Sequence, residues 1–287
     1  MKNQIISHLV YAGVALIFSG ISSCTFAQGS IEAVRLEYKF PSDEAVRYLN
    51  TSTMAQIMDI QGQAMQTDVT SAFGCSVKSE GSQNNNLKLK FTIDTLGQTT
   101  DSPMGRAGGA IQGVKGKICN VMINPNGKPV DITEAANITF YVDGSGESNM
   151  SQNIYDFFHL LPEKPVKPGD TWTLADSVST KTPVMTMKVI DNSANKFEDF
   201  EKVNGIVCAK ISGTHNGNWS MNVQSQGMDI YIEGPYTGTS ECLFAVKEGY
   251  FIKKTTSTKM TGNLDISSMG MSMPIVIDMK SEIEIVR

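Results

Sequence analysis

From Leu87 to Ile93 the chain alternates apolar and polar residues without a break: Leu87-Lys88-Leu89-Lys90-Phe91-Thr92-Ile93. Side chains on a strand point to opposite faces in turn, so this segment sets one face on a core and the other in water. Ile118 to Ile123 and Val184 to Ile190 read as further strands. Pro125-Asn126-Gly127-Lys128 marks a hairpin turn, because Asn and Gly tolerate positive φ. The last third shows the pattern most clearly. Met228 to Ile232 begins a strand that Gly234-Pro235 interrupts, and Ser240 to Val246 follows. Lys247-Glu248-Gly249 turns the chain and Tyr250 to Thr258 runs back. Pro274 to Val286 closes it, with Ile275, Ile277, Met279, Ile283 and Ile285 spaced mostly by two. The expectation is a mainly β fold of antiparallel curved sheets, a half-barrel or a sandwich, ending in a meander.

One short helix is expected near 151–161. Ile154, Phe157, Phe158 and Leu161 form an apolar stripe at helical spacing, Ser151 or Asn149 can cap its start, and Pro162 ends it. The Pro-rich connector from Leu161 to Gly169 then divides an N-terminal β half (28–162) from a C-terminal β half (163–287). The glycine-rich stretch from Gly97 to Gly116 reads as a long loop. A faint echo links the halves: Met54, Asp59, Ile60 and Met65 match Met260, Asp265, Ile266 and Met271 at a constant offset of 206. Both segments look like hairpin arms, and either a duplicated β unit or chance accounts for the echo.

The first 27 residues carry an address. Lys2, an apolar run from Leu9 to Ile21 and a small-residue exit make a secretory signal, too short for a comfortable membrane span. Two processing sites compete. Thr25-Phe26-Ala27 before Gln28 suits ordinary signal peptidase, giving a soluble periplasmic or secreted protein. Ile21-Ser22-Ser23-Cys24 resembles the bacterial lipobox, which would lipidate Cys24 and tether the chain at the outer membrane. Both imply export from a Gram-negative bacterium.

The whole chain has net charge −5. Loss of Lys2 with the signal leaves 23 basic against 29 acidic residues, or −6. That balance lacks the field that draws nucleic acid or anionic lipid, so neither is an expected partner and a membrane is reached only through a lipid anchor. In an oxidising compartment the even set Cys75, Cys119, Cys208 and Cys242 favours disulfides, with Cys75–Cys119 and Cys208–Cys242 the preferred pairing and buried thiols the alternative.

Several landmarks stand together. Tyr38-Lys39-Phe40 follows the signal, and a Met/Gln-rich hairpin runs from Met54 to Met65. Asn126-Gly127-Lys128 comes next, and Leu160-Leu161-Pro162 leads to Lys167-Pro168-Gly169-Asp170-Thr171-Trp172. This layout resembles a family of uncharacterised exported β-rich proteins of Bacteroidetes-type bacteria, a domain of unknown function. The resemblance implies export and a β-rich fold, and supplies no functional residues. The curved sheet of bacterial lipoprotein carriers is a looser analogy of fold.

Catalytic signatures are sparse. Outside the signal, His159 lies on the expected helix and His215 beside Asn216-Gly217, where they read as a helix-surface residue and a turn residue. No Gly-x-Ser-x-Gly elbow nominates a serine, and no His-Glu-x-x-His helix nominates zinc. Glu198, Asp199, Glu201 and Glu233 are dispersed carboxylates that a hydrolase would need to bring together; Glu198 to Lys202 reads instead as a solvated turn.

Methionine is the oddity, at 16 residues. Met269, Met271 and Met273 alternate, as do Met185 and Met187, so each set shares a strand face. Thioethers can bind Cu(I), fill an irregular core, or line a tolerant apolar groove. The expectation is a noncatalytic exported protein without cofactor or metal, binding an apolar small molecule on a curved sheet. A structural or adhesive envelope module, partnered by an envelope protein, and a hydrolase with dispersed carboxylates are the alternatives.

Overall fold

Long alternating segments separated by short turns fold into long hairpins. The structure, a computed structural model, describes residues 32–286 apart from 61, 144, 145, 183, 226 and 227. Residues 1–27, read above as a secretory signal, and Cys24 among them lie outside the described residues.

The elements in chain order are β1 (Val46–Ile60), β2 (Gln63–Gln83), β3 (Asn86–Ser102), β4 (Gly105–Ala110), β5 (Ile118–Ile123), β6 (Pro129–Asp131), α1 (Thr133–Ala136), β7 (Thr139–Val142), β8 (Gly146–Asn149), α2 (Ser151–Tyr155), β9 (Thr171–Lys181), β10 (Met185–Val203), β11 (Ile206–Ser225), β12 (Met228–Ala245), β13 (Tyr250–Ile266), a 3-10 turn (Ser267–Met269) and β14 (Met271–Ile285). A 12-stranded antiparallel sheet has the order β6-β5-β3-β2-β1-β14-β13-β12-β11-β10-β9, with β4 added beside β3. The sheet is not closed into a barrel. Strands before and after residue 162 join at its centre, where β1 pairs with β14 from Tyr48↔Ile285 to Met58↔Ile275. The two echo segments fall on the β1–β2 and β13–β14 hairpins.

The main core lies at one end of the inner face. Tyr48, Phe91, Phe157 and Phe251 pack ring to ring, with centroid separations of 5.0 Å for Tyr48–Phe157 and 5.2 Å for both Phe91–Phe157 and Phe157–Phe251. Such edge contacts add to the transfer free energy of large rings. The expected helix stripe is buried in full: Ile154, Phe157, Phe158 and Leu161 are all at most 5% exposed. The helix itself is shorter than expected and ends at Tyr155, with Phe157 N–H bonding Ile154 O in a tighter turn. Met150, not Asn149 or Ser151, holds the N-cap position and offers no side-chain cap; Asn149 Oδ1, one residue earlier, accepts from Ser151 N–H at 3.1 Å.

Several expectations are corrected. The glycine-rich stretch is a hairpin, since β4 pairs with β3 from Gly97↔Ala110 to Ser102↔Gly105. Glu198 to Lys202 lies inside β10, at a bulge between Phe197 and Asp199, and the turn comes later at Asn204-Gly205. The disulfides Cys75–Cys119 and Cys208–Cys242 are not made; all four cysteines are buried free thiols. Cys75 and Cys119 flank β3 on opposite sides, opposite Ile93 and Phe91. Two strand spacings of about 4.8 Å exceed the reach of a disulfide. Cys208 faces Ala245 while Cys242 faces Ile211. Alternation therefore puts these two on opposite faces, displaced along the ladder.

Candidate functional site

Alternation along paired strands sorts the inner face into rows that cross the sheet. One row, Phe197, Ile211, Cys242, Lys254 and Ile283, belongs to the main core end. The next is polar and small: Trp172, Asn195, Gly213, Ser240, Thr256, Ser281, Ser52 and Ser71. Beyond it the face turns apolar again. Met187, Met221, Ile232, Leu264 and Met273 form one continuous cross-strand row, and Met185, Val223, Ile230, Ile266 and Met271 form the neighbouring one. A second apolar cluster is thus built on the same face, around Trp219, Ile232, Tyr236, Leu264, Ile275 and Ile277. Among the described residues, every member and packed neighbour of this cluster comes from the sheet strands, whereas the main core is capped by residues 34–40 and the α1–α2 segment. The Trp219 ring crosses the backbone of Gly234, its cross-strand partner, and its Nε1 donates to Thr261 O on β13 at 3.4 Å. A Cβ at Gly234 would fall 1.9 Å from that same oxygen.

Of the methionines singled out in the sequence, Met185, Met187, Met271 and Met273 therefore share one band. Met269 does not join it: it sits in the 3-10 turn, 57% exposed, because the hairpin turns before the alternation can continue.

Between the two apolar ends a chain of hydrogen bonds crosses three strands. His215 lies in the middle of β11, not in a turn, and Asn216-Gly217 continues the strand. Its Nδ1 is 3.0 Å from Asp191 Oδ2 on β10, and its Nε2 is 2.9 Å from Ser240 Oγ on β12. Tyr236 OH donates to the other Asp191 oxygen. An ionised carboxylate only accepts, so Asp191 fixes the imidazole proton on Nδ1, leaving Nε2 to accept from the Ser240 hydroxyl. The Tyr236 hydroxyl is held well above its ordinary pKa, first by burial and then by its bond to Asp191. Asn195, 3% exposed, completes the cluster, donating to Ser193 Oγ at 3.0 Å.

The α2 segment straps this region from two sides. Tyr155 OH donates to Asp176 Oδ2 on β9 at 2.8 Å, and Lys254 on β13 donates to Phe158 O at 3.1 Å. Burial alone would raise the Asp176 carboxyl, but hydrogen bonds from Lys128 and Tyr155 outweigh it and hold the group below its usual range. His159 is buried, not on a helix surface: it is 5% exposed and its Nε2 has no partner among the described residues. Burial first, then the nearby Lys254 charge, with a smaller electrostatic effect from His215, depresses its pKa to about 3, so it is neutral.

The outer face carries a different feature. Two depressions of about 810 Å³ and 560 Å³ share Thr239, Ser240 and Glu241. Their walls are outward-facing residues such as Thr53, Thr173, Thr214, Thr255, Lys196 and Lys280, and the floor is the backbone of the small polar row. Glu198, Asp199, Glu201 and Glu233 do not converge with the His215 chain; Glu198 bonds Ser212 and Lys196, and Glu233 bonds Tyr231. Among the described residues no group of three or more His, Cys, Asp or Glu is placed to hold a metal ion.

The signal that sequence reasoning missed is Gly213-Thr214-His215-Asn216-Gly217. On a strand this spacing puts His215 between two side-chain-free positions on one face, where it can reach its diagonal neighbours.

No family model matches the chain, and no curated protein matches it. The structure has a remote likeness to that of DynF from the dynemicin biosynthesis pathway of Micromonospora chersina, with a TM-score of 0.28 and 4% identity over 88% of this chain and 90% of that one. OccK2 (OpdF) of Pseudomonas aeruginosa gives a TM-score of 0.23 and 7% identity over 86% of this chain and 99% of that one. A family DUF1329 protein from Desulfovibrio piger gives 0.13 and 9% over 83% and 85%. Likenesses at this level set neither fold nor function.

Proposed function

We propose that the chain is an exported binding protein that holds an acyl chain against the Met-rich end of its inner face. One observation carries this reading. Half-buried Met54, Met58, Met221, Met260 and Met273 pack against a sheet-built apolar cluster beyond the polar belt, and Met185, Met187 and Met271 extend its cross-strand rows. Unbranched thioether side chains repack around flexible apolar guests. The membrane-bound lipids of a bacterial envelope supply such guests, in keeping with the secretory signal.

Trp219 is the reporter, since it packs within that cluster. A fatty acid brominated along its chain is expected to quench Trp219 fluorescence, with Trp219→Phe abolishing the change. Each methylene lodged contributes about 0.8 kcal/mol, so affinity should rise about fourfold per methylene until the band is filled. Absence of quenching, together with native mass spectra showing no carried lipid, would defeat the reading.

The outer trough favours a second reading, a structural or adhesive envelope module. Its Thr, Ser, Lys and Glu walls suit a hydroxyl-rich polar partner such as an envelope protein surface. Substituting Thr214 and Thr239 by Val would abolish retention on isolated envelopes under this reading and leave acyl-chain binding untouched.

A further inference from the structure

The Ser240–His215–Asp191 chain is more than a polar tie between strands. Its connectivity is that of a nucleophile, a base and an orienting acid: hydroxyl to Nε2 at 2.9 Å, Nδ1 to carboxylate at 3.0 Å. The tautomer forced by Asp191 is the one that can take the Ser240 proton. His215 and Asp191 side chains keep 21% and 26% of their surface exposed, so the relay is reached from the inner face while Ser240 itself is 5% exposed. Gly213 is where the groups converge: a Cβ there would fall 2.6 Å from Ser240 Oγ, 2.8 Å from Asn195 Oδ1 and 3.4 Å from His215 Nε2. The backbone of β10, β11 and β12 is engaged in its ladders, and the Asn195 amide beside them gives its NH₂ to Ser193 Oγ with Oδ1 toward Gly213, so it donates to a developing oxyanion only on reorientation. A half-turn of that amide presents its NH₂ toward Ser240. On the other side the relay adjoins the Met-lined band, because Tyr236, which bonds Asp191, is itself part of the apolar cluster.

We infer that Ser240 accepts the acyl group of a long-chain carboxylic ester whose chain lies along the Met-rich band. This inference rests on the acyl-chain reading of that band. Ser240 Oγ bonds to the ester carbonyl carbon as its proton passes to His215 Nε2. The carbon–oxygen bond to the leaving alcohol then breaks, and the alcohol departs with the proton held by His215. Water repeats the sequence on the acyl-serine, releasing a carboxylic acid and restoring the hydroxyl. Ser240 and His215 are the catalytic residues, and Asp191 is a positioning residue.

The mature protein is incubated with p-nitrophenyl esters of increasing chain length and, separately, with a long-chain alkyl fluorophosphonate. Binding of brominated fatty acid is followed in parallel through Trp219. The expected result is a single phosphonyl adduct on Ser240 and p-nitrophenolate release that rises with chain length. Ser240→Ala loses the adduct, and His215→Gln slows release by about 100-fold or more while quenching is retained. Asp191→Asn lowers the rate with the dissociation constant unchanged, an effect a merely structural residue would not separate. Circular dichroism confirms that each variant is folded. Quenching without adduct or release overturns the inference and leaves the binding reading standing. Adduct on other residues, or release unchanged in Ser240→Ala, also overturns it. Absence of quenching defeats the binding reading instead.

Discussion

His215 and Ser240 are not directly opposite one another: His215 faces Gly238 and Ser240 faces Gly213, and their side chains meet on the diagonal at 2.9 Å. Each partner position lacks a side chain, which is what lets an imidazole lie across the ladder. Gly213→Ala is therefore expected to push Ser240 and Asn195 apart, costing about 1–3 kcal/mol of stability. A urea titration measures the loss. Ala at Gly62, where a Cβ meets nothing within 4 Å, controls for added bulk, although its own positive φ adds local strain.

The four described thiols should be silent in the native protein. Burial first, then the Glu134 charge, pushes Cys119 up to about 11; burial first, then Glu248, takes Cys208 to about 11. Burial takes Cys242 to about 12, and raises Cys75 as well. Thiols held protonated do not alkylate readily. Iodoacetamide at pH 8 is expected to leave them unmodified until denaturant is added. A thiol pKa raised in the folded state contributes stability that is complete below the unfolded value near 9 and is lost as pH climbs toward the folded value. Reduction alone should leave the melting temperature unchanged.

His159 makes an acid-sensitive element. Its folded pKa, about 3, lies below the ordinary 6.5 because burial opposes the charge, with Lys254 and His215 adding to it. Between those values the unfolded chain binds a proton that the folded one does not, so stability falls as pH falls. From pH 7 to pH 5 the loss should be about 2 kcal/mol. His159→Leu should flatten that part of the profile. Comparing denaturation midpoints of the two proteins at each pH isolates the residue from the carboxylates that also titrate.

Much of this architecture was legible from period-two alternation, because the strands have one buried face. Ile118 to Ile123 emerged with its observed limits, and Pro125 to Lys128 as a turn. The Gly97 to Gly116 stretch misled because β4 is exposed at every residue, so no apolar pattern marks it as a strand. Cysteine parity pointed to disulfides, but parity carries no register, and register separates Cys75 from Cys119 and Cys208 from Cys242. The polar chain was illegible for a related reason. Asp191, His215 and Ser240 come from three strands and meet only once the pairings Asp191↔Gly217 and Gly213↔Ser240 are fixed.

Phe157 shows how far one side chain beyond the end of α2 governs the whole inner face. Its ring touches Tyr48 on β1, Phe91 on β3 and Phe251 on β13, so it pins the strap to both sides of the β1–β14 seam. Phe157→Ala removes a ring that is 1% exposed and leaves a cavity that neighbouring aromatics cannot fill without shifting. The expected loss is about 3–5 kcal/mol by urea titration. The strap is also held by Lys254 and Asp176, so its hydrogen bonds resist complete release. Hydrogen exchange should quicken in 150–161 and at Tyr48 and Phe251, while β12 near Ile232 keeps its wild-type protection. Equal loosening at Ile232 would show that the two apolar ends of the sheet act as one unit rather than two.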